Sequence, residues 1–143
     1  MGIQERWRGL EPLPPDTRAR LDLLPRLFQE TGVLLAYVFG SFPHREGAAD
    51  IDLAILPGDS TLGDLREKIT EVLNTERIDL VNLKTANPVL RFEVVSTGVL
   101  IFKKSDHVEN SFELSTLREY RDTGHLRAVQ AETVEKRMRK ERM

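Results

Sequence analysis

Two aspartates one residue apart, Asp50 and Asp52, open the apolar stretch Leu53-Ala54-Ile55-Leu56. In an extended strand, residues two apart share a face and lie roughly 6.5–7 Å apart along the backbone. Two carboxylates held that way repel unless a cation lies between them. Mg²⁺ suits the position, because it takes a few carboxylates and fills its remaining sites with phosphate oxygens and water. A third carboxylate, Asp79, is flanked by Ile78 and Leu80 in another alternating stretch, so its own face is the polar one. Beside the first pair it would complete a two-metal site or act as a base. Upstream, Gly40-Ser41 follows an apolar run. A glycine lets the backbone turn sharply and approach a phosphate, a serine adds a hydroxyl, and successive N–H groups form an anion nest. Each feature alone is ordinary: Asp-x-Asp is common, Gly-Ser ends many strands, and a lone strand aspartate is as readily a surface residue. Their order along the chain is what carries information.

That order needs strands to present the acids and helices to cover the strands. Val33–Phe39 is a dense apolar run of strand length and predicts a buried central strand. The loop Phe42-Pro43-His44-Arg45-Glu46-Gly47 is rich in turn formers, and Asp50–Leu56 is the second strand, ended by Pro57-Gly58. Leu62, Leu65, Ile69, Val72 and Leu73 fall at helical spacing and predict a helix over 61–74. Ile78–Leu83 alternates as a third strand. Asn87-Pro88 opens a short helix closing near Gly98, with proline at its first position. Val99–Phe102 reads as an edge strand, guarded by Lys103-Lys104. Before the first strand, Asp16 or Thr17 caps a helix toward Glu30 with Leu21, Leu24, Leu27 and Phe28 on one stripe; Pro25 should kink it and Gly32 stop it. After Asp106 the pattern is helical and charged, and Gly124 divides it. No repeat and no second core is visible. The expected class is α/β (α+β): a small mixed sheet packed with helices. Residues 1–15 form an arm with three prolines, 16–104 the core, and 105–143 a C-terminal helical extension of the same domain.

Composition narrows the function classes. The 143 residues suit one domain that buries its own core. Charge is nearly balanced, 21 Lys+Arg against 23 Asp+Glu, so bulk attraction to nucleic acid is not expected. There is no cysteine, which excludes disulfides and thiolate metal sites and points to a reducing, cytoplasmic setting. The first residues lack the pattern of a signal peptide, and the longest apolar run is too short to span a bilayer. Trp7, His44, His107 and His125 are most simply read as packing or surface residues, with no metal spacing among the histidines, and Arg91 has a structural or phosphate-facing role.

The stretch from Phe39-Gly40-Ser41 through Asp50-Ile51-Asp52-Leu53-Ala54-Ile55 resembles the signature of DNA-polymerase-β-like nucleotidyltransferases, and within them the minimal (MNT) group. Ile78-Asp79-Leu80-Val81-Asn82-Leu83, Pro88–Glu93 and Gly98–Phe102 resemble the same group, so the likeness spans about residues 33–103. The resemblance implies the nucleotidyltransferase fold. It implies that Gly40 and Ser41 grip the β- and γ-phosphates of ATP, that Asp50 and Asp52 bind Mg²⁺, and that Asp79 joins a second metal and helps activate the acceptor oxygen. The same resemblance implies that Arg45 would reach a phosphate. The chain departs from many relatives in its shorter loop, in Ala49 where a serine commonly precedes the first aspartate, and in Pro43-His44-Arg45.

Members of the group pair with HEPN-domain RNases as toxin–antitoxin modules. The resemblance therefore implies an antitoxin that transfers AMP from ATP to a tyrosine of its partner toxin. Two other readings stand beside it: a non-catalytic antitoxin that binds and blocks the RNase, and a transferase acting on a small molecule or an RNA end. The tail beyond Asp106, with Phe112, Leu114, Leu117, Leu126, Val129 and Val134, is a candidate docking element.

Overall fold

The computed structural model describes residues 13–40, 42–43 and 50–142, and for 129, 130 and 137–142 the backbone alone. Trp7, Ser41, His44 and Arg45, most of the N-terminal arm, and the Val129 side chain lie outside the described residues.

The N-terminal helical segment is broken by its proline, as expected. It consists of α1 (Thr17–Arg20), a 3₁₀ turn over Leu21–Leu23 and α2 (Leu24–Thr31). Pro25 has no N–H to give the Leu21 carbonyl, and its ring crowds that carbonyl. The Leu24 N–H bonds Leu21 instead, which tightens the turn. Asp16 occupies the N-cap position, but neither candidate caps through its side chain. The Asp16 carboxylate pairs with Arg20 at 2.7 Å, and the Thr17 hydroxyl donates to the Pro14 carbonyl at 2.7 Å. Gly32 ends α2 in the left-handed region at φ 77°.

Four strands follow: β1 (Leu35–Phe39), β2 (Ile51–Leu56), β3 (Ile78–Asn82) and β4 (Val99–Lys103), in the order β3-β2-β1-β4. β1 runs antiparallel to both β2 and β4, while β2 and β3 are parallel and joined by α3 (Leu62–Leu73). The sheet is therefore mixed, and β4 is an edge strand as its two lysines suggested. Thr61 caps α3 by accepting the Asp64 N–H, and Asn74 closes it in a left-handed conformation. α4 (Pro88–Thr97) starts with Asn87 Oδ1 accepting the Leu90 N–H at 2.8 Å. α5 (Asp106–Asp122) and α6 (Gly124–Arg142) follow, divided where Gly124 predicted.

The apolar pattern sorts the core onto the two faces of the sheet. On one face Ala36, Val38, Ile51, Leu53, Ile55 and Ile78 pack against Leu24 and Phe28 of α2 and Leu65, Ile69 and Leu73 of α3. On the other, Leu35, Tyr37 and Ala54 pack against Val94 and Leu90 of α4 and Val108 and Phe112 of α5. A bulge in the β1–β4 ladder between Ala36 and Tyr37 lets Ile101 and Phe102 pack on the same face. Among the described residues, no helix is long and apolar enough to cross a membrane.

Candidate active site

The carboxylates meet because of register. In the β1–β2 ladder Phe39 lies opposite Asp52, and in the β2–β3 ladder Asp52 lies opposite Asp79. The end of β1, where Gly40 turns, is thus level with the starts of two parallel strands. Asp50, two residues before Asp52, shares its parity. Asp52 also shares parity with Ala54 and Leu56, and Asp79 with Val81, all of which belong to the α4/α5 face. The three aspartates are half-buried, and each offers an oxygen within 4.8 Å of the others'. Among the described residues they are the one cluster of potential metal ligands.

Three formal negative charges at that spacing repel by on the order of 1–4 kcal/mol per pair, between the limits of bulk water and a protein surface. A bound cation removes that cost. The donor set is oxygen alone, without histidine or thiolate, which fits a hard divalent ion such as Mg²⁺ rather than a softer metal.

Gly40 stands directly against this cluster. Its φ is 71°, in the left-handed region, and a Cβ on it would overlap the Asp52 Oδ2 atom. Only glycine both takes that backbone conformation and leaves the carboxylate its place. Besides permitting a turn, the bare α-carbon of Gly40 makes room for Asp52.

Two residues that sequence reasoning passed over hold the backbone around the cluster. Arg66 of α3 donates from Nη1 to the Ile78 carbonyl at 2.7 Å and from Nη2 to the Glu76 carbonyl at 3.3 Å, bracketing the entry to β3 just before Asp79. Arg18 of α1 donates from Nη2 to the Phe42 carbonyl at 2.6 Å. Neither carries a local signal, since an arginine on an amphipathic helix reads as a solvated surface residue.

The remaining candidates take structural positions. Arg91 bridges Glu119 at 2.9 Å and the Lys84 carbonyl at 2.6 Å, tying α4 to α5. Lys103 sits between Asp106 and Glu109 at 2.7 and 2.9 Å, and their carboxylates hold its ammonium pKa well above the usual lysine range. The partnership lowers the Asp106 pKa in turn. His107 and His125 are exposed on α5 and α6. Tyr37 is buried and donates to Glu113 at 3.1 Å; burial, then the Glu113 charge, push its hydroxyl pKa up.

The family model described as polymerase beta, nucleotidyltransferase matches residues 23–107, which contain all three aspartates and Gly40. Comparison with curated proteins found no match. Among solved structures, the chain is similar to one of a tri-AMPylated Shewanella oneidensis HEPN toxin in complex with MNT antitoxin. That match has 25% identity and a TM-score of 0.63, and covers 85% of this chain and 98% of the other. It is similar to a toxin–antitoxin structure with AMP-PNP at 26% identity and a TM-score of 0.63, covering 83% and 98%. A mutant toxin–antitoxin MntA–HpeT matches at 25% identity and a TM-score of 0.64, covering 82% and 98%. The fold is that of the MntA-type antitoxins of HEPN toxin pairs. With the family model spanning well over half of its length, this chain belongs to the polymerase-β nucleotidyltransferase family.

Proposed function

We propose that this chain is a Mg²⁺-dependent antitoxin that transfers AMP from ATP to a tyrosine hydroxyl of a partner HEPN-domain RNase toxin. The observation that carries the reading is the meeting of Asp50, Asp52 and Asp79 beside Gly40 on a nucleotidyltransferase fold. It is supported by two neighbours, one an AMPylated HEPN toxin with its MNT antitoxin and the other a toxin–antitoxin with AMP-PNP.

In this reading Asp50, Asp52 and Asp79 hold the metal, and Gly40, Ser41 and Arg45 receive the phosphates. When bound, Mg²⁺ would neutralise triphosphate charge and favour departure of pyrophosphate. The tyrosine oxygen forms a bond to the α-phosphorus as the bond from that phosphorus to the oxygen bridging the β-phosphorus breaks. A tyrosine hydroxyl ionises only near pH 10 when unperturbed, so it needs a base. Asp79, on a strand apart from the Asp-x-Asp pair, is the carboxylate we assign to take that proton. Residues 16–104 form the catalytic core and 105–143 an extension of the same domain. The nearly balanced charge favours a protein acceptor over nucleic acid, and the absence of cysteine fits the cytosol.

The test incubates the chain with α-labelled ATP, Mg²⁺ and a HEPN-domain RNase toxin. Label should appear on a toxin tyrosine with wild type and disappear with Asp50→Ala/Asp52→Ala. If the double variant neutralises the toxin as well as wild type does, the binding-only reading replaces this one. Label on an RNA end or a small molecule instead would move the chain to a different acceptor class.

A further inference from the structure

Two residues after Gly40, Phe42 is held from the side of the sheet away from the carboxylates. Its side chain is 4% exposed and belongs to the core cluster of α2 and α3, with Val38, Ile51 and Leu53. Those residues face opposite to Asp52, which shares parity with Ala54 and Leu56. Arg18 grips Phe42 in two ways. Its Nη2 donates to the Phe42 carbonyl at 2.6 Å, and its guanidinium carbon lies 4.3 Å above the Phe42 ring centroid. A planar fork does both at once, whereas an ammonium offers a single point charge. The carbonyl it holds lies beyond the end of β1, outside the strand ladder.

We propose that Arg18 is a positioning residue for the phosphate-binding turn, fixing Phe42, and through it Gly40, from behind the sheet. This rests on the reading that Gly40 and Ser41, the latter lying between these two in sequence, receive the triphosphate. Arg18 meets the turn at Phe42, whose ring lies in the core on the face opposite the carboxylates. The consequence is a separation of effects: loss of Arg18 loosens the turn and weakens the grip on phosphate, while the carboxylate cluster keeps its own geometry from the β1–β2–β3 register.

The experiment measures three quantities in wild type, Arg18→Ala and Arg18→Lys. They are Mg·ATP affinity by calorimetry, Mn²⁺ affinity by electron paramagnetic resonance, and amide hydrogen exchange at Gly40 and Phe42. A hydrogen bond from a charged donor predicts roughly tenfold weaker ATP binding and roughly tenfold faster exchange in Arg18→Ala. Mn²⁺ binding should stay within about twofold, a pattern that general destabilisation does not produce. Arg18→Lys should fall between, because it keeps the charge and loses the fork. Unchanged ATP affinity with unchanged exchange would overturn the proposal, as would equal losses of ATP and Mn²⁺ affinity. If wild type binds no ATP, the nucleotide reading fails by itself, and the exchange rates alone decide whether Arg18 positions the turn. Should Arg18→Ala fail to fold, Arg18→Lys carries the comparison, and wild-type values in it would overturn the proposal.

Discussion

Replacing Gly40 by alanine tests the geometry of the site more directly than removing a carboxylate, because it adds one methyl group and deletes nothing. Two costs arise. A residue with a Cβ held in the left-handed region loses about 1–2 kcal/mol, partly offset by about 0.4–1 kcal/mol from a less flexible unfolded chain. The second cost is specific to this position: the new Cβ overlaps the Asp52 Oδ2, and the carboxylate must withdraw by roughly 1 Å to restore ordinary contact. Gly32 supplies the control. It has φ 77°, and nothing lies within 4 Å of where its Cβ would stand. Gly32→Ala should therefore lose about 1 kcal/mol in urea unfolding and keep ATP binding and transfer. Gly40→Ala should lose about as much stability, or slightly more. A domain typically stable by about 5–15 kcal/mol remains folded in both cases. The two variants should diverge in function, since a catalytic group misplaced by about 1 Å can lose about 100-fold in rate. The assay is transfer of α-labelled AMP at saturating ATP, with metal-dependent ATP binding alongside. Wild-type transfer by Gly40→Ala would refute the argument that the missing Cβ is what seats Asp52. Equal losses in both variants would assign the effect to backbone strain alone.

Two further perturbations act away from the carboxylates. Tyr37→Phe removes the hydroxyl that donates to Glu113, and should lower stability by about 1.5–3 kcal/mol at neutral pH without changing ATP affinity. Because the folded-state pKa of Tyr37 is raised, its contribution is complete below the unfolded value near 10 and is lost as pH rises beyond it. Wild type should accordingly lose stability above about pH 10 more steeply than Tyr37→Phe, by up to about 1.4 kcal/mol per pH unit; parallel curves in urea titrations from pH 9 to 11 would count against the buried neutral tyrosine. Lys103, whose pKa is also raised, acts in the same direction and remains in both proteins, so it cancels in the comparison. Truncation after Thr123 removes α6, which meets α5 through Arg127 over the Tyr120 ring at 3.7 Å. It should leave Mg·ATP binding intact and weaken partner capture in a pull-down with the HEPN toxin, because it deletes the exposed Leu126 and Val134. Unchanged capture would remove α6 from the docking surface.

What the sequence by itself determined is local. Asp50 and Asp52 share a face because a strand alternates, and that follows from any two residues separated by one. Asn87-Pro88, Thr61 and Gly124 marked helix boundaries because caps and breaks act within a turn or two of chain. The apolar runs named the strands, and the lysines at the end of β4 marked an edge. The resemblance in the Gly40–Asp52 region added the fold, which the family match bears out. Tertiary structure decided the rest, because it depends on residues far apart in sequence. The order β3-β2-β1-β4 sets Asp79 level with Asp52, and a slip of one residue in β3 would have turned Asp79 to the opposite face. No local pattern paired Arg18 with the Phe42 carbonyl, Arg66 with the Ile78 carbonyl, or the Gly40 α-carbon with the Asp52 carboxylate. Each of those contacts joins residues distant in sequence, and the acids meet at one end of the sheet because of the register of β1, β2 and β3.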